Sequence, residues 1–518
     1  MMLTWLIVAT FAGGVLAWIS SRWGDLWPRL ISLFVLSVQM VILIVLWVHY
    51  FGPAGEADGK QWLIETNHSW IPQVGISYHL ALDGLSMLLI VLTDFIGIIA
   101  VVSSWSTIKE RVGFFHFNLL WIIAAIMGVF LAIDLFLFYF FWEMMLVPLY
   151  FIIGMWGYER RIFASVKFFL FTQAAGLLML IAILGLYFVH GRATGNYTFN
   201  YNDLLGTPMS ESTARLLMLG FFAAFAVKLP IVPLHTWLPD AHTQAPTAGS
   251  VILAGLVLKA GAYGMIRFLV PLFPDAALDF SSIAMGTAIV GIVYGAVLAF
   301  AQTDIKRMVA YTSVSHMGFV LLGIFAWNEL ALEGAIMIML AHALSTGALF
   351  VLVGDLYSRI HTREMGDMGG LWQAAPVMGA TALFFAIASL GLPGLGNFVG
   401  EFLVVLGTYQ TNAPMAVVAT LGLIASAVYS LWMIQVAFQG PNARRWSLPD
   451  MNLREGAILA TMAGGLLWFG LYPRTVLSTA GHAVHNLQQI VATTRSVETT
   501  QAPGDSPSVV LPDEGKAP

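Results

Sequence analysis

Cysteine is absent from all 518 residues. That excludes cysteine-ligated iron–sulfur clusters, a disulfide framework and thiol catalysis within this chain. Charge is scarce as well: 10% of the residues are Asp, Glu, Lys or Arg, against about 25% in ordinary soluble proteins. No G-x-x-x-x-G-K-[ST] run occurs, and no G-x-G-x-x-G opens a helix after a strand. Nucleotide-driven chemistry in this chain is therefore not expected. Nor does Met1–Ser20 carry the positive start and small-residue cleavage site of a signal peptide, so it is expected to be a first spanning helix.

Apolar material is what the chain has instead: 59% of its residues are hydrophobic. It comes in runs of about 18–25 residues, each enough to cross a hydrocarbon core about 30 Å thick. The expected fold is all-α, a polytopic membrane protein of about 14 transmembrane helices. The spans are placed near 2–20, 29–50, 80–104, 115–131, 134–154, 165–189, 213–230, 247–269, 281–301, 307–327, 333–357, 375–408, 415–438 and 456–473. The tail from about Val491, rich in Pro, Ser, Thr and Asp, is expected to be disordered.

Lys and Arg distribute unevenly between the connecting loops. Arg22, Arg29, Lys109, Arg111, Arg160, Arg161, Lys306, Arg307, Arg359, Arg363, Arg444, Arg445 and Arg454 fall on one side of this span order, and Lys60, Arg192, Arg215 and Arg267 on the other, with Arg474, Arg495 and Lys516 near the C-terminus. The richer side is expected to face the cytoplasm, which puts both termini on the opposite, periplasmic side of a bacterial inner membrane.

Two apolar segments are interrupted. In the first, Lys228 is followed at once by Leu229-Pro230 and then Pro233; in the second, Gly391-Leu392-Pro393-Gly394-Leu395-Gly396 splits a segment too long for one crossing. Proline removes a backbone donor and clashes with the turn before it. In a bilayer, the freed backbone is tolerated only inside protein or beside water. The segments before the two interruptions also resemble each other, Gly185-Leu186-Tyr187 against Gly354-Asp355-Leu356-Tyr357. Five spans per repeat is an odd number, so the expectation is two inverted five-helix repeats, each containing a broken helix. Paired broken helices of an inverted repeat point to a transport site. The corresponding division is 1–110 for helices 1–3, 111–270 and 271–440 for the two repeats, 441–490 for the last helix and its flanks, and 491–518 for the polar tail.

Ionisable residues within spans are costly and are functional by default. Glu143, Lys228, Lys259 and Glu401 all fall inside apolar segments. Burial disfavours a charged lysine and a nearby carboxylate favours it, so moving Glu143 relative to Lys228 would load or unload a proton. His316 and His342, about ten residues into their spans, are candidate relay groups. The blander readings are helix-to-helix pairing for Glu143, an interfacial carboxylate for Glu401, snorkelling for Lys259 and plain packing for the histidines. His235 and His242 are expected to hold the broken helix through hydrogen bonds rather than to ligate a metal.

The run Lys228-Leu229-Pro230-Ile231-Val232-Pro233-Leu234-His235-Thr236-Trp237-Leu238-Pro239-Asp240-Ala241-His242-Thr243-Gln244-Ala245-Pro246-Thr247, with Leu258-Lys259-Ala260-Gly261-Ala262-Tyr263-Gly264 and the Glu143 segment, carries a resemblance. It is similar to the antiporter-like membrane subunits of bacterial proton-pumping NADH–quinone oxidoreductase, respiratory complex I. Among these it most resembles the M type: Glu401 stands where L- and N-type relatives usually carry lysine, and the sequence ends without the long lateral helix of the L type. The resemblance implies proton transfer by Glu143, Lys228, Lys259 and Glu401. It implies no cofactor in this chain, with flavin and iron–sulfur clusters in partner subunits. Its partners would be the other membrane subunits, including the L- and N-type ones, the lipid bilayer and protons, with no nucleic acid.

The multi-subunit sodium/proton antiporters share these motifs and supply the alternative function. An intramembrane acyltransferase or protease would need a nucleophile with a positioned base, or clustered metal ligands; the embedded carboxylates and lysines are instead spread over several spans. A passive scaffold would not need four buried ionisable groups.

Overall fold

The computed structural model describes residues 1–52 and 61–501, beyond residue 489 in backbone only apart from Val491. Its helices are α1 (Met2–Ser20), α2 (Leu26–Phe51), α3 (Gly84–Ser104), α4 (Val112–Leu131), α5 (Leu135–Met144), α6 (Leu146–Trp156), α7 (Arg161–Thr194), α8 (Tyr201–Leu204), α9 (Glu211–Lys228) and α10 (Trp237–Gln244). The next span runs through α11 (Thr247–Ile252), α12 (Leu258–Gly264) and α13 (Val270–Leu272), separated by π-helical turns at Leu253–Val257 and Met265–Leu269. Then come α14 (Pro274–Phe300), α15 (Ile305–Phe325), α16 (Glu329–Ile360), α17 (Leu371–Ala374), α18 (Pro376–Ser389), α19 (Gly396–Thr411), α20 (Ala413–Ala437), α21 (Leu453–Leu471) and α22 (Arg474–Gln501).

The all-α polytopic architecture is what the sequence led us to expect. Among the described residues, eleven helices are long and apolar enough to cross a membrane, or twelve when α21 and the start of α22, bent by 69°, count as one. The two remaining expected spans are the interrupted ones, α9–α10 and α18–α19, whose pieces are individually too short or too polar for that measure.

Carboxylates and amides punctuate the span starts. Asp83 accepts from the Ser86 N–H at 2.9 Å, Asp134 from Phe136 and Leu137, and Asp304 from Lys306 and Arg307, while Asn452 and Glu455 form a capping box. Each satisfies helix-end donors that lipid could not. The lipid-facing helices show their position by exposure: α2 carries Phe34, Val41, Val45 and Val48 outward. By contrast, the α11–α13 span and α16 are 100% buried in their apolar windows and α15 is 94% buried, so these three form the heart of the molecule.

Two features depart from the sequence expectation. A short hairpin, β1 (Ile64–Ile71) with antiparallel β2 (Ile76–Leu82), precedes α3. The helix α22 then crosses α3 so closely that a Cβ at Gly84 would stand 1.8 Å from the Thr479 carbonyl oxygen. Only glycine permits that approach. Residues 491–501, expected within a polar tail, continue α22, and residues 502–518 lie outside the described residues.

Candidate functional site

The first break can be followed bond by bond. α9 ends at Lys228; the Leu229 N–H still reaches the Phe225 carbonyl at 2.8 Å, but Pro230 has no N–H to give to Ala226. Ile231 takes that carbonyl instead at 2.9 Å, one residue out of step. The next carbonyl, Val227, is taken by the indole Nε1–H of Trp237 at 2.8 Å. The chain turns through residues 229–236 and resumes as α10. The freed backbone is thus satisfied from inside the protein, as a break within a membrane span requires.

Lys228 lies at this break, 1% exposed, and its ammonium has no hydrogen-bond partner among the described residues. It rests 5.1 Å from the centre of the Trp142 ring and 5.8 Å from that of Phe168, which stabilise a cation through their faces. Glu143 acts on it through space rather than by contact. Glu143 occupies the last turn of α5, where Pro148 removes the donor that the Met144 carbonyl would use, and the helix is interrupted at Met145. Its Oε1 has no hydrogen-bond partner among the described residues and faces Gly176 of α7. A Cβ at Gly176 would meet that oxygen at 2.1 Å. Glu143 is half-buried at the edge of the molecule.

The second group is a contact series. Lys259, fully buried in α12 between the two π-helical turns, donates to the Ala254 carbonyl in the first of them and lies 2.8 Å from Nδ1 of His342. π-Helical turns recur at functional sites because they displace backbone groups from the regular ladder. The His342 ring centre stands 5.6 Å from that of His316. His316 then reaches Glu401 Oε1 at 3.0 Å through Nδ1 and the Ser389 hydroxyl at 3.2 Å through Nε2. Lys259, His342, His316 and Glu401, drawn from four spans, therefore form one buried file.

Glu401 closes that file against the second break. α18 ends at Ser389 and α19 begins at Gly396, with Gly391 and Gly394 at φ +80° and +94°. A Cβ on Gly391 would come within 2.6 Å of Glu401 Oε2, an oxygen with no partner among the described residues. Both the backbone angle and the carboxylate require glycine there. Pro393 lies inside the break.

His242 differs from expectation. It is fully buried on α10, stacked in parallel on Phe350 at 4.6 Å, and neither ring nitrogen has a hydrogen-bond partner among the described residues. It lies within electrostatic reach of both Lys259 and His342, so it is a candidate relay rather than a bracket for the break. His235 meets Tyr294 edge-on, and its Nδ1 has no hydrogen-bond partner among the described residues.

Among the buried charges that were missed, three stand out. Arg267, read from sequence as a loop cation, forms a buried ion pair with Asp83 and lies over the rings of Trp62 and Tyr263. Lys306, read likewise, is 2% exposed. Asp94, in mid-span on α3, is fully buried with both oxygens unpartnered among the described residues. Asp94 interrupts an apolar run as Glu143 does, so its signal was legible.

A helical membrane chain with two broken helices and a buried file of titratable groups has the architecture of a proton-transfer subunit, and comparison with known proteins agrees. Residues 132–427 match the family model described as "NADH:quinone oxidoreductase/Mrp antiporter, TM", and the chain belongs to that family. It is 52% identical to NADH-quinone oxidoreductase subunit M of Pseudomonas aeruginosa over 502 residues, covering 94% of this chain and 98% of that one. The subunit M of Escherichia coli K12 is also 52% identical, over 498 residues with the same coverage. A chain of respiratory complex I from Thermus thermophilus superposes with TM-score 0.85 at 30% identity, covering 95% of this chain and 99% of that one. A chain of the Mrp complex from Dietzia sp. DQ12-45-1b shares the fold at TM-score 0.83 and 20% identity, covering 96% and 99%. Within the family, this chain groups with the subunit M proteins of NADH-quinone oxidoreductase.

Proposed function

We propose that this chain is a proton-translocating membrane subunit of a bacterial NADH:quinone oxidoreductase. The observation that carries the reading is the buried file Lys259–His342–His316–Glu401, which ends against a broken helix. Protons would enter on the cytoplasmic side through the Glu143–Lys228 region and pass by His242 to Lys259. Glu401 would be the last group before the periplasmic side. The Lys/Arg distribution supports that polarity, with both termini periplasmic.

The chain supplies no thiolate ligands for iron–sulfur clusters, and we expect those clusters and the flavin in partner subunits, with a non-redox part for this chain. L- and N-type antiporter-like subunits are the partners we expect. The identity to subunit M relatives favours this over a sodium/proton antiporter, to which the 20% identical Mrp neighbour connects it by fold alone.

Glu401→Gln preserves shape and removes titration, so we expect it to cut proton uptake into closed vesicles about tenfold or more with the enzyme still assembled. Glu401→Lys should retain part of the activity. Normal pumping by the glutamine variant would place the exit elsewhere. Deletion of the chain should abolish NADH-driven pumping; loss of sodium-dependent proton exchange alone would favour the antiporter.

A further inference from the structure

The helix α10 is only eight residues long and shares no continuous helical hydrogen-bond ladder with α9, so other contacts must hold it. Each carbonyl at its C-terminal end has a donor. Ala241 takes the Ala245 N–H at 2.8 Å, and His242 takes the Ser250 hydroxyl at 3.0 Å. Thr243 takes Arg363 Nη1 at 2.6 Å, Gln244 takes the Tyr158 N–H at 2.9 Å, and Ala245 takes Lys306 Nζ at 2.5 Å.

Two of these donors are cations at the negative end of a helix, where positive charge is favoured. Both stand over one ring: Lys306 Nζ and the Arg363 guanidinium are each 4.9 Å from the centre of Tyr158. Arg363 also pairs with Asp304, the N-cap of α15, at 3.3 Å. Beside Lys306, Arg307 reaches Asp240 of α10 at 4.0 Å, and Lys167 of α7 holds the same carboxylate at 2.6 Å.

Adjacent residues of α15 therefore grip α10 by its carbonyl end and by its acidic side chain. The same α15 carries His316, ten residues after Lys306. We propose that Lys306 is a positioning residue for proton transfer: with Arg307 it fastens α10 to α15, so that the segment next to Lys228 and the His316 of the buried file move as one body. A shift at the first break would then reach the second half of the molecule without passing through the intervening backbone. The energetic link is a chain of bonds between rigid elements, and removing one member should weaken the coupling without touching either end.

This inference rests on the proton-translocating reading, and the test separates the two. In membranes holding the intact enzyme, protons moved per NADH oxidised would be measured for Lys306→Gln, Lys306→Arg and Glu143→Gln, each normalised to assembled enzyme. We expect the ratio to fall about three- to tenfold in Lys306→Gln and to recover in Lys306→Arg, which restores a donor of the same charge. A fall in assembled amount with an unchanged ratio would make Lys306 merely structural and overturn the inference. So would an arginine variant as deficient as the glutamine one. If Glu143→Gln lowers the ratio and Lys306→Gln does not, only the coupling fails; if neither does, the functional reading fails with it.

A second arm avoids dependence on Lys306 itself. The chain has no cysteine, so Asp240→Cys with Arg307→Cys can be joined by a short bis-maleimide without side reactions in this chain. Both substitutions remove ties on α10, so the unlinked variant should pump at a lowered ratio, and linking, which fastens α10 to α15 again, should restore it. Arrest of pumping on linking would show that α10 slides past α15, and would overturn the proposal.

Discussion

A buried side chain is informative to the degree that its polar atoms lack partners. Lys228, Glu143 and Glu401 each keep one such atom beside a helix break, which suits groups that must exchange protons. Asp94 keeps two, with no break and no charged neighbour to account for them. We therefore expect Asp94→Leu to stabilise the chain by about 1–3 kcal/mol, the cost of burying an unbonded polar group. Thermal unfolding of the solubilised enzyme reads this, and a lowered midpoint would mean that Asp94 holds a bond or an ion. The four central ionisable residues were legible because charge within an apolar run has few innocent explanations. Lys306 and Arg267 were not, since both stand near span ends, where cations ordinarily meet water. Their partners, Ala245 and Asp83, are 61 and 184 residues away in sequence.

At the scale of elements, prolines and glycines announced both breaks, and α9 and α18 end at Lys228 and Ser389 as the sequence suggests. What holds the breaks open was not readable: the Trp237 indole on the Val227 carbonyl depends on the path of the turn between them. Pro230→Ala restores one backbone donor, letting α9 continue past Lys228 and displacing the indole. We expect reduced pumping at near-normal expression, and a structure of the variant in which residue 230 bonds Ala226. An unchanged break would assign its cause to Trp237 and the ties on α10. The hairpin of β1 and β2 lies outside the apolar runs, and its residues alternate too weakly to declare it. The α22 helix escaped notice because its sequence is polar; its crossing at Gly84 and the burial of Val476, Thr479, Ala480 and Val484 show that it is packed.

For the whole molecule, hydrophobic length fixed which segments lie in the membrane, but not which of them meet. Segment length cannot say that α15, α16 and the α11–α13 span would share the centre while α2 faces outward; mean hydropathy carries part of that signal, at 2.7 for α2 against 1.6 for α15 and for the α11–α13 span. That central seclusion has a consequence measurable without any substitution. Amides in the apolar middle of α16, fully buried and bonded within the helix, can trade hydrogen for deuterium only when the fold opens globally. The peptides around residues 229–236 and 390–395 lack a regular ladder and should label in far shorter times. Mass spectrometry of the labelled enzyme should show two narrow fast windows set among silent helices. If NADH turnover changes the labelling of those windows while α16 stays silent, the breaks are the moving parts; uniform labelling across all three would mean that they are as rigid as the helices around them.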